Sequence, residues 1–198
     1  FHRRWLTRDS GIGGEITIPA RRAGIVISPS IHRVLIMATF SFCPQCGSPV
    51  TEQERDGKTR LACTSSACDY VHWDNPTPVV AAIITHGPHV ILARGRGWPA
   101  DRFALIAGFL ERGEHPDDAV LREVKEELGV DGRIVEFVGY YSFTRRNQLL
   151  FVFQVEIDRE PELGEELEEI KRLLPADVVP WPMGTGPALR DWLARRGY

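Results

Sequence analysis

Residues 108–130 read GFLERGEHPDDAVLREVKEELGV. Pro116 is typical of a first helical turn, and the acids that follow it, Asp117 and Asp118, favour the positive end of a helix. Gly129 is typical of the residue that ends a helix. The stretch therefore predicts a helix that begins at Pro116 and ends just before Gly129.

Three glutamates of this predicted helix stand at spacings i, i+3 and i+4, so their carboxylates share one face within a single turn. They are Glu123, Glu126 and Glu127. An apolar stripe lies beside them, formed by Val120, Val124 and Leu128. This stripe would hold the helix against a sheet while the carboxylates point into a cleft.

Carboxylates this close repel each other and raise the pKa of at least one of them, and a divalent cation removes that conflict. Mg²⁺ and Mn²⁺ bind carboxylate, carbonyl and water oxygens and usually complete their shells with substrate phosphates. The cluster therefore predicts metal-assisted hydrolysis of a phosphoanhydride bond. In this interpretation Arg122 orients a neighbouring carboxylate. The alternative is an acidic helix face that is only solvated.

The whole stretch has the spacing G-x5-E-x7-R-E-U-x-E-E-x-G-U, where U is a bulky aliphatic residue. The fixed positions are all filled, by Gly108, Glu114, Arg122, Glu123, Val124, Glu126, Glu127, Gly129 and Val130. The pattern resembles the Nudix box of the Nudix hydrolase superfamily. The resemblance implies an α/β (α+β) fold, a Nudix α/β/α sandwich with a mixed sheet. It also implies hydrolysis of a nucleoside diphosphate linked to another moiety, of the NADH, ADP-ribose or FAD type, with Mg²⁺ or Mn²⁺.

The resemblance implies roles for individual residues. The three glutamates of the helix correspond to catalytic carboxylates that bind the metal, and one of them can serve as general base. Gly108 corresponds to a position whose backbone carbonyl binds metal, and Glu114 to a loop carboxylate that anchors or assists. In families of this kind the base can instead lie downstream. The downstream candidates are Glu165, Glu166 and Glu168, each of which would otherwise be a solvated loop acid.

All four cysteines lie within 26 residues, as a C-x2-C pair and a C-x4-C pair. They are Cys43, Cys46, Cys63 and Cys68. This spacing is typical of structural Zn²⁺ sites, in which four thiolates leave no open position for chemistry. Two disulfides are the alternative. Zinc is favoured, because the rest of the chain is long enough to fold on its own core without crosslinks.

A four-cysteine ribbon directly before a Nudix domain resembles the arrangement of NADH pyrophosphatases and related zinc-ribbon Nudix proteins. That subgroup carries a Ser-Gln-Pro-Trp array, which the equivalent residues here, YYSFTRRNQ at 140–148, lack. Aromatic rings stack on bases and Arg binds phosphate bidentately, so four residues of this segment are candidates for substrate binding. They are Tyr141, Phe143, Arg145 and Arg146. The alternative for the two aromatic residues is packing at a strand end.

Apolar runs between turn residues predict strands around the helix. The predicted strands cover 79–85, 90–94, 103–106, 134–141 and 149–157. A second helix is predicted over 187–196, and residues 165–174 fit either a helix or a short strand.

Three segments are predicted along the chain. Residues 37–78 are interpreted as the zinc ribbon with its connector, and residues 79–198 as the Nudix domain. Residues 1–36 carry six Arg and two acids and have no sustained hydrophobic period. They are interpreted as a leader that is disordered or not native to the protein, with an Arg-rich targeting peptide as the alternative.

The composition excludes several classes of protein. With 43% hydrophobic and 26% charged residues, disorder is excluded over most of the chain. The longest apolar run, 79–84, has six residues, against the roughly 18–20 of a membrane helix. Residues 37–198 hold 18 basic and 25 acidic residues, which argues against nucleic acid as a partner.

The expectation is therefore a cytoplasmic enzyme that acts on a nucleotide-derived small molecule, and the resemblance allows a homodimer. Two alternative functions remain open. One is a nucleoside triphosphate or RNA-cap pyrophosphohydrolase. The other is a regulatory module that senses a nucleotide without turnover.

Overall fold

The computed structural model describes residues 40–198. The predicted leader, residues 1–36, lies outside this range. Within it, a small antiparallel sheet precedes a larger one. The small sheet contains β1 (Val50–Arg55), β2 (Lys58–Cys63) and β3 (Val71–His72), in the order β1-β2-β3.

The larger sheet has six strands and is flanked by two α-helices. Its strands are β4 (Thr77–His86), β5 (His89–Gly95), β6 (Ile106–Phe109), β7 (Gly132–Phe143), β8 (Gln148–Ile157) and β9 (Leu167–Leu173). The helices are α1 (Pro116–Leu128) and α2 (Gly186–Ala194), and short 3-10 turns cover Thr144–Arg146 and Pro175–Asp177. The strand order is β7-β8-β4-β5-β9, with β6 paired to β4. The sheet is mixed, because β4 and β8 are parallel while the other pairs are antiparallel.

The hydrophobic core consists of two layers, one on each face of the larger sheet. On the first face, Val80, Ala82 and Ile84 of β4 pack in one cluster with the apolar stripe of α1. On the second face, residues 79, 81 and 83 of the same strand pack in a cluster that contains Leu189 and Trp192 of α2. A central strand covered on both faces reads as a continuous apolar run. The α/β/α sandwich predicted from the family resemblance is confirmed.

Helix α1 begins and ends where its sequence predicts. Pro116 occupies the first turn together with Asp117 and Asp118, and Gly129 adopts a left-handed conformation with φ 67°. Its N–H donates to the carbonyl of Lys125, at 3.0 Å. A glycine tolerates this conformation without the steric cost that a Cβ would bring.

Most predicted elements differ from the structure by one or two residues at their ends, and one predicted strand lies at another position. Helix α2 ends at Ala194, because the N–H of Arg196 donates to the carbonyl three residues back, at Leu193, and tightens the last turn. The strand predicted at 103–106 lies instead at Ile106–Phe109. Ala104 makes only an isolated bridge to β5, whereas residues 106–109 pair with the central strand β4.

Residues 165–174, which fit a helix or a strand by sequence, contain the edge strand β9. This strand pairs antiparallel with β5. Among the described residues, no helix is long and apolar enough to cross a membrane.

Candidate active site and cysteine cluster

The first feature of the site is a close approach between β6 and α1. Gly108 pairs with Val80 of the central strand, and the carboxylate of Glu123 lies directly over it. A Cβ placed on Gly108 would lie 2.0 Å from both Cδ and Oε1 of Glu123. Only glycine leaves room for this carboxylate against the strand backbone.

Arg122 binds several of the predicted site residues at once. Its Nε and Nη2 donate to the two carboxylate oxygens of Glu114, at 2.8 and 3.0 Å. Its Nη1 donates to Glu123 at 2.6 Å and to Glu126 at 3.2 Å. Nη2 also donates to the carbonyl of Phe109, at 3.1 Å. This bidentate, partly buried geometry is the strong form of an arginine–carboxylate contact.

Arg122 gives Glu114 a lowered pKa, whereas the pKa values of Glu123 and Glu127 are raised. Its hydrogen bonds lower the pKa of Glu114 below the usual range, so this carboxylate stays ionised. Both of its oxygens already accept hydrogen bonds from the guanidinium. The structure thus gives Glu114 the contacts of an anchor for Arg122, one of the two roles that the resemblance implies.

Burial dominates the electrostatics of Glu127 and Glu123. It raises the pKa of Glu127 to about 8, with further increases from the charges of Glu123, Glu166 and Glu126. Burial also raises the pKa of Glu123, although Arg122 opposes the shift. A group of acids, two of them partly buried, whose charges repel each other fits a divalent cation, since carboxylate oxygens are the ligands that Mg²⁺ and Mn²⁺ prefer.

The segment that follows β8 docks against the C-terminal end of α1. The backbone N–H of Glu162 donates to the carbonyl of Leu128 at 2.8 Å, and that of Gly164 donates to the carbonyl of Glu127, also at 2.8 Å. A Cβ on Gly164 would lie 2.4 Å from the backbone oxygen of Glu126. This contact brings the downstream acids beside the helix.

The three downstream acids differ in their surroundings. The charge of Glu166 raises the pKa of both Glu123 and Glu127. Glu168 instead pairs with Arg94, at 2.8 Å. Glu165 contributes its backbone carbonyl, which accepts from Nε of Arg96 at 2.9 Å. Glu166 is therefore the downstream acid that acts electrostatically on the helix carboxylates.

The four cysteine thiols converge on one point of the small sheet. Their sulfur atoms lie within 4.8 Å of one another. Cys43 and Cys68 are 3.7 Å apart, and Cys46 and Cys63 are 3.5 Å apart. A tetrahedral zinc site with Zn–S bonds of about 2.3 Å has sulfur–sulfur edges of about 3.8 Å. The arrangement fits that site.

One thiol of this cluster, that of Cys46, has a lowered pKa and therefore favours the thiolate form. Hydrogen bonding from Ser48, by its side chain first and then its backbone, contributes most to lowering the pKa of Cys46 to about 6. The thiolate is the form that binds metal.

The four predicted substrate residues lie on or beyond the second face of the sheet. Tyr141 and Phe143 pack against the cluster that contains α2, and Tyr141 donates its hydroxyl to Asp191 at 3.2 Å. Arg145 and Arg146 are exposed in the 3-10 turn that follows β7, and the guanidinium of Arg146 lies 5.9 Å from the ring centre of Phe143. The structure therefore does not bring these residues among the carboxylates, which lie on the α1 side.

Cross-strand pairs form a row over four neighbouring strands, from Tyr141 to the residue that follows Gly108. Tyr141 pairs with Leu150, Leu150 with Val79, and Val79 with Phe109. Phe109 follows Gly108 and exposes 43% of its surface. Sequence reasoning missed this residue. The available signal was a large aromatic residue directly after the glycine whose backbone was expected at the metal.

Comparison with protein families assigns both parts of the described chain. Residues 75–195 match the NUDIX domain, and residues 41–74 match the Nudix N-terminal zinc ribbon. The chain belongs to the NUDIX family. Its cysteine module and its carboxylate helix are thus the two parts of a zinc-ribbon NUDIX protein.

Two of the most similar curated relatives carry the same name. The chain is 28% identical over 148 residues to the NAD-capped RNA hydrolase NudC of Pseudomonas putida KT2440, covering 72% of this chain and 51% of that protein. It is 29% identical to the NAD-capped RNA hydrolase NudC of Stutzerimonas stutzeri A1501, covering 79% and 67%. The chain thus spans between half and two thirds of the length of these relatives.

Solved structures share the fold. A NUDIX hydrolase from Nitrosomonas europaea superimposes with a TM-score of 0.66 at 24% identity, covering 80% of this chain and 93% of that one. An ADP-ribose pyrophosphatase from Streptococcus suis superimposes with a TM-score of 0.52 at 18% identity, covering 63% and 94%. At these identities the likeness concerns the fold alone.

Proposed function

We propose that this NUDIX protein is a divalent-metal-dependent pyrophosphohydrolase that acts on a nucleoside diphosphate linked to another moiety. The observation that carries the proposal is the carboxylate of Glu123 over the backbone of Gly108. Arg122 donates to Glu123 and Glu126, and Glu127 lies partly buried one residue further along the helix. A solvated acidic helix face would need neither the partly buried carboxylates of Glu123 and Glu127 nor the arginine that binds Glu114 on its other side.

The residues that would hold Mg²⁺ or Mn²⁺ are the three helix glutamates and the carbonyl of Gly108. When bound, such an ion neutralises phosphate charge and lowers the pKa of a water molecule. In the reaction, water adds to one phosphorus of the pyrophosphate, and the bridging oxygen leaves with the other phosphate. The products are two monophosphates. A carboxylate takes the proton of the attacking water, and Glu127 and Glu166 are the candidates for this role.

The second face of the sheet supports a dinucleotide as the substrate. Phe109, Tyr141 and Phe143 offer aromatic surface on which a base or another planar ring can stack. Arg145 and Arg146 lie at the end of this surface, exposed and able to bind phosphate. NADH, ADP-ribose and FAD combine the two features that these residues fit, planar rings and a pyrophosphate.

The name of the relatives adds NAD-capped RNA to the candidate substrates. The acidic charge of residues 37–198 weighs against contacts along an RNA backbone. It does not weigh against hydrolysis of a cap, which concerns only the first nucleotides. A capped RNA therefore belongs in the substrate panel beside the free dinucleotides.

The alternative from a different class is a module that senses a nucleotide without turnover. A binding module would have no need of three crowded carboxylates, because crowding them costs stability. The intact set, together with the arginine that orients it, favours the enzyme.

The experiment that tests the proposal is a substrate panel with a matched variant. Wild-type protein and Glu126→Gln are incubated with Mg²⁺ or Mn²⁺ and NADH, NAD⁺, ADP-ribose, FAD, nucleoside triphosphates or NAD-capped RNA. We expect two monophosphates from a dinucleotide and a loss of at least about 100-fold in the variant. Absence of turnover with every compound, or equal turnover by the variant, would contradict the proposal. Tight binding of one compound without turnover would favour the sensing module.

Three further features belong to this proposal. The cysteine cluster is proposed to hold a structural Zn²⁺, because four thiolates leave it no open position. The cytoplasm is proposed as the compartment, where thiols stay reduced and available to zinc. A homodimer remains a prediction from the resemblance.

A further inference from the structure

The joint between the cysteine module and the larger sheet has an unusual backbone. Residues 40–198 contain three non-glycine residues with positive φ, and two of them contact each other at this joint. They are Asp74, at φ 51°, and Asn147, at φ 48°. Asn and Asp tolerate this left-handed region better than other residues do, and such conformations persist where surrounding contacts hold them.

Asn147 ties two segments together by hydrogen bonds of its backbone and its side chain. Its N–H donates to the carbonyl of Thr144 at 3.1 Å and closes the 3-10 turn. Its carbonyl accepts from the N–H of Thr77, the first residue of β4, at 2.8 Å. Its side-chain Nδ2 donates to Asp74, to the backbone oxygen at 3.1 Å and to Oδ1 at 3.0 Å. One residue therefore joins the 3-10 turn to the connector, residues 73–76 between β3 and β4.

The connector is in turn fixed to the cysteine module. The guanidinium of Arg60, in β2, donates to the carbonyl of Trp73 and lies 5.0 Å from its ring centre. Strand β3, which immediately precedes Trp73, pairs with β2 next to Cys63. A continuous set of contacts thus runs from the cysteine module through Trp73 and Asp74 to Asn147.

The turn that Asn147 closes carries Arg145 and Arg146, two of the proposed substrate residues. Both are exposed, and long exposed side chains reach a phosphate reproducibly only when the backbone beneath them is fixed. We infer that Asn147 is a positioning residue for substrate binding, which holds this arginine turn against the connector of the cysteine module. The inference rests on the proposed function and gives the ribbon a part in substrate affinity.

The test uses Asn147→Gly in the full chain. Glycine keeps the left-handed backbone and removes only the side chain that binds Asp74. The matched control is Asp56→Gly, the third non-glycine residue with positive φ, which lies in the β1–β2 turn. We expect Asn147→Gly to raise KM for the best dinucleotide about tenfold with kcat kept, and Asp56→Gly to change neither.

A double variant tests whether the effect passes through the turn. If Asn147 acts by positioning Arg146, then adding Asn147→Gly to Arg146→Ala raises KM by far less than it does in the wild-type background. Hydrogen exchange adds a readout without substrate. We expect faster exchange of the amides of residues 144–148 in Asn147→Gly and not in Asp56→Gly.

Several results of these measurements would overturn the inference. An unchanged KM overturns the inference, even if exchange in the turn becomes faster. So does a joint fall in kcat, affinity and melting temperature, because that pattern belongs to a general structural defect. Fully additive effects of the two substitutions also overturn it. A wild-type protein that hydrolyses no dinucleotide contradicts the proposed function itself, and this inference falls with it.

Discussion

Arg122 contacts more of the proposed site than any single glutamate does. It binds Glu114 bidentately and donates to Glu123, Glu126 and the carbonyl of Phe109. We predict that Arg122→Lys weakens Mn²⁺ binding by about 10–100-fold, because one ammonium cannot hold these groups in a fixed geometry. Calorimetric titration with Mn²⁺ measures this. Arg133→Lys, at an exposed pair with Glu156, is the control and should bind Mn²⁺ as wild type does. Equal affinity in all three proteins would contradict the role of Arg122.

Without a bound cation, the charged form of Glu127 should destabilise the folded protein. Its pKa is raised from an ordinary 4.5 to about 8 by burial, so the folded state binds this proton more tightly than the unfolded state does. The stability that the protonated form contributes is lost as pH rises from about 4.5 to about 8. Glutamine cannot ionise, so the Glu127→Gln variant keeps this stability as the pH rises. We predict that metal-free Glu127→Gln is more stable than wild type at pH 8, by about 1–3 kcal/mol.

Urea unfolding of metal-free protein at pH 5 and pH 8 measures this difference, which should shrink toward the lower pH. Added Mn²⁺ should then raise the melting temperature of wild type and leave that of Glu127→Gln nearly unchanged. A Gln variant that is less stable than wild type at pH 8 without metal would contradict the electrostatic account.

At the scale of elements, β6 and the segment between β8 and β9 both approach α1 closely, and a glycine allows each approach in a different way. The Cβ of Gly108→Ala would meet the end of a flexible side chain, Glu123, whereas that of Gly164→Ala would meet the backbone of α1. We predict that Gly108→Ala loses Mn²⁺ affinity with its unfolding free energy nearly kept. Gly164→Ala should instead lose about 1–3 kcal/mol of stability, because backbone must separate. Calorimetry and urea unfolding of both variants measure this, and the reverse pattern would contradict the arrangement.

The cysteine module should require its metal to fold, since three short strands offer little core. We predict one Zn²⁺ per chain in protein purified under reducing conditions, and its loss in Cys63→Ser. Metal analysis by mass spectrometry, with thiol counting, measures both. Protein without zinc that carries two intact disulfides would overturn the zinc assignment.

Sequence patterns predicted these elements to different extents. Both ends of helix α1 were predicted correctly, because Pro116 and Gly129 determine the helix ends through their own backbone conformations. The strand at Ile106–Phe109 was placed three residues too early, because Gly108 weakens the local strand signal and pairing with β4 decides the position. Residues 165–174 stayed ambiguous for the same reason, since only pairing with β5 selects a strand.

At the scale of the whole molecule, the family resemblance implied the sandwich, and the cysteine spacing predicted the four thiols that the structure brings together. The carboxylate metal site stays a prediction. The sequence did not predict how residues far apart in the chain meet. The contact of Arg122 with Glu114 and the docking of Glu162 and Gly164 on α1 depend on tertiary packing. The same holds for Phe109, whose place in one row with Tyr141 follows from strand register.

The two faces of the sandwich carry different parts of the proposed site. The carboxylates gather on the α1 side, aromatic surface and arginines lie on or beyond the α2 side, and strand β6 reaches both through Gly108 and Phe109.

The central claim is that turnover requires a divalent cation held by the helix carboxylates. The most direct measurement is the rate of monophosphate release from the best dinucleotide during a Mn²⁺ titration, for wild type and Glu126→Gln, with zinc content measured in both. We predict saturable activation of wild type, and at least about 100-fold lower rates in the variant at every Mn²⁺ concentration with zinc unchanged. Hydrolysis independent of added Mn²⁺ or Mg²⁺, or the same activation curve for both proteins, would contradict the claim.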